Sequence, residues 1–287
     1  MSKSIIIIIL NLCFILPFSS QAQQISGDTW SSVKSKGGGK IKVSFVETPG
    51  FVYREQSGRL TGICVDLMKD FVAYLSESKG VKVDIEFVGN GDSFRGMYNR
   101  VKGSKGGVFG LGNITITDAR KKEIKFSSPF IKNLAVLISQ NQVPTLNNLS
   151  NAEQNFKGLT AYTPKGTTNE KRVLELKNKY FSSLNVVQTS SSPETLEKVI
   201  GDKNGLAYLD IAFYLDALKR KKPLKRHPAG DKGGEEFGII MPMNSDWQPV
   251  LNEFMAANGG YTQSTNYKKI IIKHLGQTGA KFISQLR

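Results

Sequence analysis

The first part of the chain alternates between strand patterns and helix patterns, and this order restricts the possible folds most. Residues 41–46 and 81–88 alternate apolar and polar side chains with the period of two expected of β-strands. Between them, residues 62–75 place apolar side chains on one face of a helix. A helical segment at 93–102 then precedes an apolar strand at 108–111. This β–α–β–α–β order predicts an α/β lobe with a mostly parallel sheet flanked by helices.

A second block of the same patterns follows further along the chain. Short apolar strands are predicted at 159–163, 184–187 and 206–210. Helices are predicted to begin near Thr167 and Ser192, where hydroxyl side chains suit a helix cap. The chain therefore has two βα-built halves, and its 287 residues suffice for two modest domains or one large one.

The N-terminus has the features of an export signal. Lys3 precedes an apolar run at 5–18, and residues 20–22 have the small-x-small pattern of a cleavage site. We predict a cleavable signal peptide over 1–22, with a retained signal anchor as the alternative. Residues 23–39 are polar and end in three glycines, so they are predicted to form a flexible N-terminal lead or a short cap.

The composition argues against several classes of function. Cys64 is the only cysteine after the predicted cleavage, so no intramolecular disulfide is expected. His227 and His274 lie far apart without the spacing of a zinc site or a catalytic triad, so neither a metal nor another cofactor is predicted. The formal charge is +15, but the basic run at 219–226 lacks aromatics that could stack on bases. We therefore interpret the charge as a field that favours anionic solutes and predict no nucleic-acid partner.

The most informative motif follows the strand at 108–111. The strand ends in small and hydroxyl residues from Gly112 to Thr117, and Arg120 follows about one helical turn later. Free N–H groups at a helix start and a planar guanidinium can converge on the two oxygens of a carboxylate. The alternative for the Thr115-x-Thr117-x-x-Arg120 pattern alone is a surface helix start with an exposed arginine.

Together with Phe126-Ser127-x-Pro129-Phe130, this motif resembles the signature of the bacterial extracellular solute-binding proteins of family 3. Their fold is shared by the ligand-binding cores of ionotropic glutamate receptors. Further agreement lies in the pattern of Gly58, Gly62, Val65, Asp66 and Leu67. One departure is the pair Gly106 and Gly107, where members of the family usually carry an aspartate.

The resemblance implies a two-lobed, type II periplasmic-binding fold of the Venus-flytrap kind. Each lobe would be a mostly parallel sheet flanked by helices, and two interdomain crossings would join the lobes. Lobe 1 would then comprise residues 40–138 and 237–287, and lobe 2 would comprise residues 139–236.

The resemblance also implies a site for an amino acid. Arg120 would grip the α-carboxylate with Thr115, and the lobe 2 motif containing Thr167 and Thr168 would complete this grip. Threonines at a helix start are otherwise ordinary caps.

On the ammonium side, Asp210 would bind the ligand with a backbone carbonyl near Asn113. From the residues alone, a helix-cap role for Asp210 is as well supported as a ligand role. Phe51 corresponds to an aromatic segment that lines or floors the pocket in the family.

The function expected from the resemblance is capture of an amino acid by hinge closure without chemistry. The basic charge of the chain favours an acidic or neutral polar amino acid as the ligand. A monomeric periplasmic protein would then deliver the ligand to an ABC-type membrane permease. The alternatives are a sensing module for a separate signalling partner and a lobe associated with a cell-wall lytic transglycosylase.

Overall fold

The computed structural model of the protein describes residues 25–91 and 93–286, so the predicted signal peptide over 1–22 lies outside the described residues. The strands are β1 (Ser26–Gly27), β2 (Gly38–Phe45), β3 (Tyr53–Arg54), β4 (Leu60–Thr61), β5 (Lys82–Val88), β6 (Lys105–Gly106), β7 (Val108–Leu111), β8 (Lys125–Phe126), β9 (Ile131–Gln140), β10 (Thr160–Pro164), β11 (Asn185–Thr189), β12 (Gly205–Asp210), β13 (Leu224–Arg226), β14 (Lys232–Phe237) and β15 (Ile240–Met241). The α-helices are α1 (Trp30–Lys36), α2 (Ile63–Lys79), α3 (Phe94–Lys102), α4 (Asp118–Lys121), α5 (Ala152–Asn155), α6 (Thr168–Tyr180), α7 (Ser192–Gly201), α8 (Ile211–Lys219), α9 (Gln248–Ala256) and α10 (Thr265–Gln285). In this part of the chain, no helix combines the length and apolar character needed to cross a membrane.

Two sheets form the two lobes. The sheet of lobe 1 has the order β5-β2-β7-β15-β8, and its first three strands are parallel. The sheet of lobe 2 has the order β11-β10-β12-β9-β13, with β14 also paired to β9. In lobe 2 the strands β10, β11 and β12 are parallel, as predicted, whereas every pairing of β9 is antiparallel. The second sheet is therefore mixed.

The chain crosses between the lobes through two adjacent segments. It leaves lobe 1 between β8 and β9 and returns between β14 and β15. The two segments are held together because the Phe130 N–H donates to the Phe237 carbonyl (3.0 Å) and the Ser127 N–H to the Ile239 carbonyl (2.8 Å). Since β9 pairs entirely within the second sheet, the structure moves the start of lobe 2 from the predicted residue 139 to the beginning of β9.

For residues 23–39 the structure favours the short cap over the flexible lead, because the described part of this segment is ordered on lobe 1. Within this segment, β1 pairs with β6, and α1 packs on lobe 1 through Trp30, whose ring centroid lies 5.2 Å from that of Trp247. The Asp246 carboxylate accepts the Trp30 N–H at 2.8 Å, which attaches the start of α1 to lobe 1, and the Thr29 hydroxyl caps the helix. The hydrophobic Trp30 was the signal that this polar segment would not remain free in solution.

The N-terminal segment also explains the glycine pair that departs from the family pattern. Gly106 has a φ of +67°, and a Cβ atom there would lie 2.4 Å from the Gly27 carbonyl oxygen. A Cβ atom on Gly107 would lie 2.3 Å from the Asp28 carbonyl oxygen. Because β1 runs this close to β6, the chain has no room for an aspartate side chain at either position.

The last helix connects both lobes. The helix α10 contacts α2 of lobe 1 and also α8 and β9 of lobe 2. It changes direction at Gly276, whose φ of +71° is outside the helical region and easy for glycine. The His274 Nε2 is 2.8 Å from the Asp66 carboxylate, and this pair attaches the part before the kink to lobe 1.

Candidate functional site

A cleft between the lobes collects six of the seven predicted ligand residues. Parallel strands bring their carboxyl ends to one edge of a sheet, and β2, β7, β10, β11 and β12 all end at this cleft. The lobes close on a cavity of about 30 Å³. The predicted residues that line it are Asn113, Thr115, Arg120, Thr167, Thr168 and Asp210.

Arg120 provides a partly buried cation in the lobe 1 wall. Thr117 caps α4 by accepting the Arg120 N–H (3.2 Å), which fixes the backbone from which the guanidinium extends. The guanidinium lies 4.7 Å from the ring centroid of Phe94, and its Nη1 donates to the Thr115 carbonyl at 2.8 Å. Burial lowers the pKa of Arg120. Among the described residues no carboxylate forms an ion pair with this guanidinium.

The two threonines at the start of α6 have different roles. Thr167 is the helix cap: its hydroxyl accepts the Glu170 N–H at 3.3 Å and donates to the Pro164 carbonyl at 2.8 Å. The Thr168 hydroxyl instead faces across the cleft, 3.5 Å from the Thr115 hydroxyl of lobe 1. Free N–H groups at this helix start and the Arg120 guanidinium can therefore approach one anion from opposite lobes.

Asp210 is a buried acceptor in the lobe 2 wall. It precedes α8, but its side chain makes no capping hydrogen bond. One carboxylate oxygen accepts from the Asn133 amide at 2.9 Å, and the other accepts from the amide of Asn113 across the cleft. The Thr48 hydroxyl donates to the Asn113 carbonyl oxygen at 2.9 Å, which orients the Asn113 amide group towards Asp210. Burial, followed by the nearby Glu235, raises the pKa of Asp210 to about 6.

A network behind Asp210 was not predicted. The Asn133 amide also donates to Glu235 at 3.0 Å, and Glu235 pairs with Arg172 from α6. The side chains of Glu235 and Arg172 are each 11% exposed. The Thr115 hydroxyl donates to Glu235 at 3.2 Å, which links this network to lobe 1. Arg172 lies four residues after Thr168, so helical spacing was the signal that places both on one face.

The structure corrects the prediction for Phe51. This ring is 2% exposed and packs on Phe237 and Phe130, with centroid distances of 5.6 and 6.4 Å. It therefore supports the crossing segments beneath the cleft. The aromatic residue that lines the cleft is Phe94, at the start of α3.

The remaining charged groups of the cleft come from both lobes. Glu47 lines it from lobe 1 and is paired with Arg54 at 2.9 Å. Lys165 lines it from lobe 2, beside residues 190–192 at the start of α7. These neighbours follow from strand register, because Pro164 is opposite Thr189 in the parallel pair β10–β11.

Comparison with known proteins identifies the family. Residues 41–277 match the family model of the bacterial extracellular solute-binding proteins, family 3, and the chain belongs to this family. This result confirms the resemblance inferred from the motif around Arg120.

Solved structures confirm the two-lobed α/β fold. An ancestral arginine-binding protein bound to glutamine is 22% identical, with a TM-score of 0.64, and the match covers 83% of this chain and 98% of that chain. The arginine-, lysine-, histidine-binding protein ArtJ from Geobacillus stearothermophilus is 19% identical, with a TM-score of 0.66, and the match covers 83% of this chain and 96% of that chain. At these identities the likeness concerns the fold.

One relative is named as a transglycosylase and not as a solute-binding protein. The membrane-bound lytic murein transglycosylase F of Pseudomonas fluorescens is 26% identical over 144 residues, which are 50% of this chain and 27% of that protein. This chain therefore spans about a quarter of the length of that curated relative.

Proposed function

We propose that the protein binds an α-amino acid between its lobes and releases it to a partner. The observation that carries this proposal is the pairing of opposite chemistries in one small cavity. Arg120 offers donors for a carboxylate on one side, and the carboxylate of Asp210 offers acceptors for an ammonium on another. A zwitterion requires both.

Hinge closure is the binding mechanism that we propose. A cavity of about 30 Å³ holds about one or two water molecules, so the lobes must separate before an amino acid can enter. The two crossing segments lie side by side between the sheets and are hydrogen-bonded to each other. A hinge motion requires only changes of backbone angles in a few such connecting residues. On closure, Arg120 with Thr115 and Thr168 with Asp210 come together from opposite lobes.

The proposed setting is the periplasm, after removal of the signal peptide over 1–22. A monomer with closed lobes would present surfaces of both lobes to an ABC-type permease, which would accept the ligand. We assign no catalysis to the cleft, and in this proposal Arg120 and Asp210 bind the charges of the ligand.

Calorimetry with trimmed ligands tests the proposal. The twenty L-amino acids are titrated first, and the best ligand is then compared with its decarboxylated amine and with its deaminated acid. We expect each trimmed compound to bind at least ~tenfold more weakly, because each leaves one buried charge of the cleft without its partner. Equal binding of either trimmed compound, or no binding of any amino acid, would contradict the proposal.

A further inference from the structure

Asn133 lies between the two buried carboxylates of lobe 2. Its strand β9 pairs with β12 along one edge and with β14 along the other. Glu235 of β14 is directly opposite Asn133. Asp210 of β12 is opposite Ala135, which is two residues further along β9. Because residues two positions apart in a strand share one face of the sheet, the Asn133 amide group and both carboxylates meet on one face.

The Asn133 amide group gives one hydrogen bond to each carboxylate. Its Nδ2 atom is 2.9 Å from Asp210 Oδ1 and 3.0 Å from Glu235 Oε2. An asparagine amide has two N–H donors, so these bonds use both of them. The reversed amide would place a carbonyl oxygen against two acceptors, which fixes its orientation. Asn133 is 2% exposed, so its side chain is shielded from water that could supply other donors.

The two carboxylates need these donors because neighbouring negative charges oppose ionisation. Arg172 of α6 compensates Glu235 through their ion pair. Among the described residues Asp210 has no such ion pair, and burial, followed by Glu235, raises its pKa to about 6. The hydrogen bonds from Asn113 and Asn133 act in the opposite direction on this pKa. The two amide donors therefore favour the ionised form that a ligand ammonium requires.

The other charged groups of the cleft come from both lobes. The Arg120 guanidinium faces Asp210 across the cleft, and its positive charge also favours the ionised carboxylate. The ionisable side chains of the remaining walls and the rim are Glu47, Arg95, Lys165, Glu170 and Glu194. The three glutamates accept hydrogen bonds from Arg54, Gly166 and Ser190, respectively. The lysine and the arginine of this set are exposed.

We propose that Asn133 is a positioning residue for the ammonium side of the cleft: its two donors hold the Asp210 carboxylate beside Glu235 and favour the ionised form that binds an ammonium. This inference rests on the proposed function. Without these donors, one of the two carboxylates keeps a proton to higher pH. Since Arg172 holds Glu235 ionised, Asp210 is the one that keeps it, and a neutral acid cannot neutralise an ammonium.

Direct titration of Asp210 in the ligand-free protein is the first test. The NMR signal of its carboxyl carbon, assigned by its absence in Asp210→Asn, is followed against pH in the unmodified protein and in Asn133→Leu. Leucine has nearly the size of asparagine and no donor. Loss of a hydrogen bond to a charged group should change the ionisation equilibrium at least ~tenfold, so the midpoint should rise by at least ~1 pH unit. A role in packing alone would leave the midpoint unchanged.

Calorimetry then connects this titration to binding. The probe is the L-amino acid that binds the unmodified protein most tightly among the twenty. Its affinity for the unmodified protein should fall about twofold between about pH 8 and about pH 6, where half of Asp210 is protonated. In Asn133→Leu the same change of pH should lower the affinity ~tenfold, because Asp210 is then mostly protonated at the lower pH.

Asn155→Leu is the matched control. Asn155 is another hydrogen-bonded asparagine of lobe 2, and it donates to the Thr145 carbonyl at 3.3 Å. Its variant should match the unmodified protein in the Asp210 midpoint and in the pH dependence of binding.

Urea unfolding verifies that the variants fold. If Asn133→Leu does not fold, Asn133→Ser, whose hydroxyl retains one donor, should still raise the midpoint by at least ~0.5 pH unit. An unchanged midpoint in a folded Asn133 variant, or an unchanged pH dependence of binding, would overturn this inference and leave the proposed function intact. Failure of every amino acid to bind the unmodified protein would overturn both.

Discussion

Replacing Asp210 by asparagine should affect ligand binding and protein stability in opposite directions. The substitution removes the charge and retains the size of the side chain. An asparagine cannot neutralise a ligand ammonium, and its own amide group would face the donors of Asn113 and Asn133. We expect amino-acid affinity to fall at least ~tenfold, which corresponds to a loss of about 1.4 kcal/mol or more.

The stability of the ligand-free protein should stay level or increase. The pKa of Asp210 is raised from 3.8 to about 6, chiefly by burial, so its ionised form is disfavoured in the folded state. At about pH 7.5 this shift of roughly two units costs about 3 kcal/mol, and asparagine removes the cost. The mismatched donors cost about 1–3 kcal/mol in return. We therefore expect a free energy of unfolding about 0–2 kcal/mol higher than that of the unmodified protein.

The pH dependence identifies the cause of this change. Because the folded pKa is raised, the favourable contribution of Asp210 is fully present below pH 3.8 and is lost as the pH rises through about 6. The advantage of Asp210→Asn should thus shrink by about 2 kcal/mol between about pH 7.5 and about pH 4.5. Urea unfolding at both values, with the exposed Asp84→Asn as control, measures this difference. Lower stability of Asp210→Asn with unchanged ligand affinity would refute the reasoning.

Three further predictions concern other parts of the chain. His227 accepts the Leu146 N–H at 3.0 Å, and burial lowers the pKa of His227 to about 4. Its contribution to the free energy of unfolding is therefore present above pH 6.5, and about 3 kcal/mol is lost as the pH falls to about 4. Urea unfolding of His227→Gln in the Asp210→Asn background should lack this loss. Trp30→Ala should lower the free energy of unfolding by about 2 kcal/mol without changing ligand affinity, because Trp30 packs on Trp247 remote from the cleft; equal stability would contradict the ordered role of α1. Mass spectrometry of exported protein should find a mature N-terminus at or near Gln23, and material that retains Met1 would contradict the processing prediction.

The sequence allowed prediction of features that depend on local spacing. The cap at Thr167 follows from a hydroxyl residue three positions before Glu170 and is present in the structure. The contact between Arg120 and Thr115 also depends on local spacing, because the two residues are only five positions apart in the chain. The end of a strand and the helix that begins a few residues later lie at the same edge of the sheet. The family pattern then indicated that Thr168 and Asp210 from the other half of the chain would face them.

Features that depend on strand register could not be predicted. Glu235 follows two glycines and has the sequence character of a solvent-exposed loop. In the structure, β14 changes register between Lys232 and Glu235, and Glu235 comes opposite Asn133 in β9. A shift of one residue reverses the face of every side chain in a strand, so only the three-dimensional pairing reveals that Glu235 points inward.

The position of an aromatic side chain was likewise undetermined. Phe51 and Phe94 both follow loops near strand ends, and composition does not distinguish a ring beneath a hinge from one in a cleft wall. The assignment of β9 to lobe 2 also requires its partners, because an apolar strand fits the interior of either sheet.

The central claim, capture of an amino acid between Arg120 and Asp210, is tested most directly by calorimetry on Arg120→Ala. Arg59→Ala is the control, since Arg59 is an exposed arginine paired with Glu55 at 2.8 Å. We predict that the unmodified protein and Arg59→Ala bind one equivalent of the same amino acid with equal affinity. Arg120→Ala should bind it at least ~30-fold more weakly, because truncating one partner of a buried charge pair costs about 2–5 kcal/mol. Unchanged affinity in a folded Arg120→Ala variant would contradict the account.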